Sequence, residues 1–129
     1  MNKLIDAVEK YKVECMQNEE HQEIIGKYSF SEDFTGFAGH FPGYPILPAV
    51  LQLLLAQLLI EKQKGCKVRV TRIVKAKFLS EIRPDDQITV HCIDAATDET
   101  QRSKVNISCG ERSVSSFNMS YTLKENMKC

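Results

Sequence analysis

The stretch GHFPGYPILPAVLQL, residues 39–53, opens with ten residues that hold one histidine, three prolines and two glycines. His40 can take up or release a proton near neutrality, which makes it a candidate general base. Pro42, Pro45 and Pro48 each fix a backbone dihedral, so the loop around His40 is stiff. By itself such a histidine could equally be a turn residue bonded to a backbone carbonyl; its proline- and glycine-rich setting favours a role in a site. His21 and His91 lie in strand-like runs and read as surface or structurally satisfied residues, with no metal-ligand companion at usable spacing. The five cysteines, Cys15, Cys66, Cys92, Cys109 and Cys129, form no C-x-x-C pair and share no local motif with His40, which argues against cysteine catalysis.

The element that must position His40 is the helix that follows. Pro48 fits its first residue, where a missing N–H costs nothing. Gly65, preceded by Lys62 and Lys64, fits its end. Leu51, Leu53, Leu55, Leu58, Leu59 and Ile60 surround the axis instead of forming a stripe, so the spacing predicts a helix wrapped by something large. Those residues read as core or dimer contacts. CKVRVTRIVKAKFL, DQITVHCIDA, RSKVNISCG and RSVSSFNMSYTL are β-branched, largely alternating runs, separated by turn signals at Pro84-Asp85-Asp86, Thr97-Asp98-Glu99 and Gly110. They predict an antiparallel sheet built by hairpin succession. In the first run Val68, Val70, Val74, Ala76 and Phe78 share one predicted face, and Lys67, Arg69, Lys75 and Lys77 the other. Upstream, KVECMQ and EHQEIIGKYSF read as two more strands around Asn18, with Gly26 a candidate bulge. Leu4, Ile5 and Val8 suggest a short helix or an irregular arm, and the tail KENMKC is expected to fray. The sum is α+β: about six antiparallel strands around one central helix, in a single domain over 1–129.

Bulk properties agree. A chain of 129 residues with 43% apolar content can bury one modest core. Seventeen basic and seventeen acidic residues cancel, so no global charge points to nucleic acid or an anionic membrane. The uncharged run from Phe41 to Ile60 is interrupted by prolines, and its helical part is too short for a membrane span. The N-terminus lacks the apolar core of a signal peptide and the cysteines are an odd number with no C-x-x-C pair, so a reducing cytoplasm is expected.

GHFPGYPILPAVLQL resembles the loop-to-helix signature of the hotdog-fold beta-hydroxyacyl carrier-protein dehydratases, the FabA/FabZ-like family. That pattern is His-Phe-Pro-x-x-Pro-x-x-Pro-Gly with an acidic residue five positions on; His40, Phe41, Pro42, Pro45 and Pro48 match it. SEDFTGFAGHFPG and VKAKFLSEIRPDDQITV are also similar to that family, so the likeness runs from about Phe30 to Leu123. PILPAVLQL is closer to a thioester dehydratase-like branch. The resemblance implies a hotdog fold, a homodimer or an assembly of dimers joined edge to edge, and a 3-hydroxyacyl thioester substrate on acyl carrier protein or coenzyme A. It implies no metal, nucleotide or flavin.

In the family the glycine-position N–H hydrogen-bonds the thioester carbonyl; here that residue is Ala49, which keeps the donor. The acidic position is Leu54, which can neither give nor take a proton. By this likeness His40 removes the α-proton, the Ala49 N–H polarises the carbonyl, and Gln52 or Gln57 positions the leaving water. Phe41, Pro42, Gly43, Tyr44, Pro48 and Leu54 line the substrate path, although Phe41 and Tyr44 also suit simple packing. Gln57, Glu61, Glu32 and Asp33 are weighed as replacements for the missing acid, and none is a convincing one. The basic cluster Lys62, Lys64, Lys67, Arg69, Arg72, Lys75 and Lys77 reads as a solvated face, with a docking surface for an acidic carrier protein as the alternative. Two other functions stay open: thioester hydrolysis, and a non-catalytic acyl-thioester binding or scaffold protein.

Overall fold

The repeated β-branched runs pair into one six-stranded antiparallel sheet, and the apolar segment after Pro48 becomes a helix that lies against it. A computed structural model describes residues 3–37 and 43–124. Helix α1 (Lys3–Lys10) leads into β1 (Lys12–Asn18) and β2 (Glu23–Ser29); a short 3₁₀ turn (Thr35–Phe37) precedes α2 (Ala49–Lys64). The rest is β3 (Val68–Phe78), β4 (Gln87–Asp94), β5 (Gln101–Cys109) and β6 (Arg112–Leu123). The order across the sheet is β1-β2-β4-β5-β6-β3. This is the hotdog arrangement, α+β as expected.

Helix α2 forms because only Val50 and Ile60 of its sixteen residues are β-branched and none is Gly or Pro. It stops where Gly65 turns left-handed, φ 73°, and donates its N–H to Glu61 O at 2.9 Å. Leu51, Gln52, Leu55, Ala56, Leu59 and Ile60 are buried, pairs spaced one turn apart that make one continuous stripe. Each buried Leu or Ile contributes on the order of 1.5–3 kcal/mol. The opposite side is only half covered: Leu53, Leu54 and Leu58 are partly buried and Val50 is 67% exposed. The sheet therefore cradles the helix from one side and leaves an apolar face uncovered in the single chain.

Several local expectations change. Gly26 is no bulge: it pairs in register with Cys15 and Val90. A Cβ there would lie 2.8 Å from Leu59 Cδ2, so glycine is needed for the close approach of α2 to the sheet. The bulge lies in β1, between Lys12 and Glu14. Hairpin succession holds for β1/β2, β4/β5 and β5/β6 but fails for β3, which pairs with β6 at the sheet edge. Register shifts between Val70/Arg72 and Val74/Lys77, with Lys75 at φ 55°, break the single apolar face expected for β3. Val70 and Ile73 pack on the core, while Ala76 is exposed and Phe78 is 45% exposed. His21 sits in the β1–β2 turn, its N–H bonded to Asn18 Oδ1, and not in a strand. Of the tail KENMKC only Lys124 is described, its N–H bonded to Lys67 O at 3.1 Å.

Candidate functional site

Helix α2 begins at a polar, open end. Pro48 has φ −69° and ψ 157°, an extended conformation, so it is the N-cap and Ala49 is the first helical residue. The cause is the preceding segment: the buried Leu47 donates its N–H to Ile82 O at 2.9 Å, drawing residues 46–48 out against the 79–86 loop. Pro48 O accepts the N–H groups of Leu51 (3.1 Å) and Gln52 (3.3 Å). No side chain caps the helix. The N–H groups of Ala49 and Val50 precede the intrahelical ladder, and the positive end of the helix dipole lies with them.

That end opens into a groove of about 370 Å³. One wall is Ile46, Leu47, Pro48, Ala49 and Gln52; the other is Phe78, Leu79, Ser80 and Glu81. Phe78 and Leu79 are 45% and 63% exposed, so the groove offers apolar walls to a ligand beside two uncapped donors. The arrangement suits an apolar chain ending in a carbonyl that accepts a hydrogen bond at the helix terminus.

His40, Phe41 and Pro42 lie outside the described residues. Gly43 has φ 80°, a left-handed conformation, with open space where a Cβ would point. Tyr44 is 51% exposed and donates its hydroxyl to Glu81 Oε2 at 2.8 Å, while the Arg83 guanidinium lies 3.7 Å from its ring centroid. The Glu81 hydrogen bond, and then the charge on Glu81, hold the Tyr44 phenol above its ordinary pKa. Gln52 is buried at 4% exposure with both ends of its amide occupied: Nε2 donates to Leu47 O at 3.3 Å and Oε1 accepts from Ser115 at 2.7 Å. It braces the first turn of α2 against the loop and the sheet. Gln57 donates to Val68 O at 3.3 Å, at the start of β3.

Among the acids weighed from sequence, Glu61 accepts the Val68 N–H at 3.0 Å and sits 4.0 Å from Lys67, at the far end of α2. Glu32 and Asp33 are exposed in a turn. The residue that sequence reasoning missed is Glu81. It is separated from Tyr44 by 37 positions, within the run FLSEIRPDD, and no local spacing announces their contact. Arg112 pins this stretch by donating to Ser80 Oγ (2.9 Å) and Glu81 O (2.8 Å).

Elsewhere several titratable groups are engaged in structure. His91 meets Glu23 at 3.0 Å. Cys92 is fully buried, and burial pushes its thiol up to about 12, which leaves it protonated and unreactive. In the basic cluster, Lys64 pairs with Asp94 at 2.7 Å, whereas Arg69, Arg72, Lys75 and Lys77 remain exposed. Among the described residues no group of three or more His, Cys, Asp or Glu could hold a metal ion, and no helix is long and apolar enough to cross a membrane.

Residues 16–118 match the family model of the ApeI-like proteins, described as ApeI dehydratase. The chain belongs to the ApeI-like dehydratase family. ApeI-like membership agrees with sequence similarity to 3-hydroxyacyl-[acyl-carrier-protein] dehydratases FabZ. The protein from Clostridium beijerinckii is 34% identical over 96 residues, covering 69% of this chain and 64% of that protein. The one from Petrotoga mobilis is 40% identical over 77 residues, covering 55% and 54%. The chain thus spans between half and two thirds of the length of these curated relatives. Solved structures share the fold of this ApeI-like chain. The dehydratase heterocomplex ApeI:P from Xenorhabdus doucetiae superposes with a TM-score of 0.72 at 15% identity, covering 85% of this chain and 95% of that one. A hypothetical thioesterase protein with coenzyme A from Streptococcus pneumoniae gives 0.70 at 16% identity, covering 93% and 90%.

Proposed function

We propose that the groove at the N-terminus of α2 binds an acyl thioester, and that the chain is a dehydratase interconverting 3-hydroxyacyl and trans-2-enoyl thioesters. The observation that carries this reading is the uncapped first turn of α2 opening into an apolar groove. A thioester carbonyl set there accepts from the Ala49 N–H, and the enolate-like charge that develops when the α-proton leaves is stabilised by that donor and the helix dipole. His40 removes the proton. Pro48 and Gly43 shape the loop, Gln52 fixes its junction with the helix, and Phe41, Pro42, Tyr44 and Leu54 border the acyl path. Gln57 holds the edge strand to the helix.

The carrier is acyl carrier protein or coenzyme A, in fatty-acid or related lipid synthesis, and the site needs no cofactor. One hotdog domain forms a cytoplasmic homodimer, or an assembly of dimers, that covers the apolar side of α2 and the β3 edge. Thioester hydrolysis is the second reading, supported by a carboxylate, Glu81, on the groove wall. A binding protein without catalysis is the third, supported by the apolar Leu54.

The products separate these readings. With 3-hydroxybutyryl-coenzyme A the purified chain is expected to release water and yield the enoyl thioester, and His40→Ala to lower that rate by about 10²-fold or more. Free thiol and free acid as products would establish the hydrolase instead. Saturable binding with neither product would leave the scaffold reading.

A further inference from the structure

The second register shift of β3 decides which of its side chains face outward. Val74 pairs with Asn118 and Lys77 with Ser116, so Lys75 and Ala76 together oppose Phe117. That is one residue more than a regular ladder holds, and it reverses the alternation beyond it. Phe78 therefore turns inward beside the groove at α2, opposite Ser115, and Lys77 turns to the outer face of the sheet beside Ser116. Lys75 occupies the bulge at φ 55°, a conformation with a steric cost for any residue that carries a Cβ.

The neighbouring strands complete the outer surface. Asn106 pairs with Ser116 and Lys104 with Asn118, so the cross-strand rows Asn106-Ser116-Lys77 and Lys104-Asn118-Val74 lie side by side. With Lys75 and Ala76 at the bulge, this stretch of sheet holds a hollow of about 420 Å³. Three lysines line it and no carboxylate does. Other lysines meet acids: Lys12 pairs with Glu9, Lys27 with Glu14, Lys64 with Asp94 and Lys67 with Glu61. Among the described residues Lys75, Lys77 and Lys104 have no such partner, although the chain has as many acidic as basic residues. The side chains of Asn106, Ser116 and Asn118 are likewise uncommitted among the described residues. Lysines on an edge strand block pairing between sheets, but Lys104 stands on β5, between β4 and β6, where there is no edge to guard.

We infer that this hollow is an anion site for a diphosphate group, supplied as inorganic diphosphate or as part of a nucleotide. Three unpaired positive charges call for a multiply charged anion, which a single carboxylate is not. Lysine meets phosphate as a point charge, and the two amides and the hydroxyl offer neutral donors to the remaining oxygens. The one ring among the lining residues, Phe117, is 1% exposed, so no aromatic surface is offered to a base and recognition rests on the phosphates. The hollow lies on the face of the sheet away from α2, and it stands independently of the thioester reading.

The test is calorimetric titration of the full chain with inorganic diphosphate and, separately, with ADP, using sodium sulfate at matched ionic strength as reference. Saturable one-to-one binding of diphosphate is expected, weakening as salt rises. Lys75→Asn combined with Lys104→Gln should raise Kd by about tenfold or more, while Arg69→Gln combined with Arg72→Gln should leave it within about threefold. The second pair removes as much charge outside the hollow. All four positions are exposed and asparagine accepts the left-handed φ at position 75, so both variants fold. ADP binding as tightly as diphosphate would support the site and point to a nucleotide source; diphosphate binding without ADP binding would support it and point to the free anion. Absence of saturation by about 10 mM diphosphate would overturn the assignment. So would a sulfate response equal to that of diphosphate, or equal weakening in the two double variants, since either reports only a diffuse positive field.

Discussion

Ala49→Pro is expected to lower kcat for the hydroxyacyl thioester by about 10²- to 10³-fold while leaving the fold essentially as stable as before. The substitution deletes one atom of chemical interest, the N–H at the first position of α2. Proline is well tolerated at that position, because the N–H there has no intrahelical acceptor and the ring presets a helical φ. Pro48 already has the extended conformation, ψ 157°, that a residue before proline requires. Ala49→Gly is the companion variant: it keeps the donor and should retain activity. Steady-state kinetics beside a thermal melt checks both points. Full activity in Ala49→Pro would mean that the substrate carbonyl lies elsewhere.

The second large effect is on stability. Phe30→Ala should cost about 3–5 kcal/mol in a urea titration, the range for truncating a well-packed phenylalanine. Phe30 is 1% exposed at the end of β2, stacked on Phe34 at 4.4 Å and on Tyr28 at 5.7 Å, with Tyr11 tilted against it at 5.8 Å. Phe34 in turn meets Phe37 edge-on at 5.7 Å. The cluster thus ties α1 and β2 to the 3₁₀ turn that leads toward His40. A loss under about 1 kcal/mol would show that these rings repack around the cavity.

How far the sequence foretold this molecule depended on whether each feature is local. The C-terminus of α2 was legible because Gly65, Lys62 and Lys64 carry its chemistry within four residues. The bounds of β6 followed from a largely alternating run after Gly110, and the sheet as a whole from its β-branched runs. The pairing of β3 with β6 was not legible, since it joins segments separated by two intervening strands. Its two register shifts fall at residues without a Gly or Pro marker, and Lys75 adopts a left-handed φ that its type does not advertise. Gly26 carried a signal that was misread: a strand glycine marks either a bulge or a close approach, and only the position of Leu59 decides between them. At the site, Gly43, Tyr44, Pro48 and Ala49 stood out because one contiguous motif holds them. Gln52 was visible as a polar residue in an apolar helix, but its bond to Ser115 spans 63 positions and turns it toward the sheet. Glu81 had no such motif, and it enters the groove only through tertiary contact with Tyr44.

The central claim is that an acyl thioester sits with its carbonyl oxygen on the first N–H of α2. It is tested most directly by the infrared carbonyl stretch of a carbon-13-labelled butyryl thioester, which lacks the 3-hydroxyl and stays intact when bound. The account predicts a stretch displaced to lower wavenumber on binding, with the displacement largely lost in Ala49→Pro. A bound thioester whose carbonyl stretch matches that in water, or a displacement unchanged in Ala49→Pro, would contradict it.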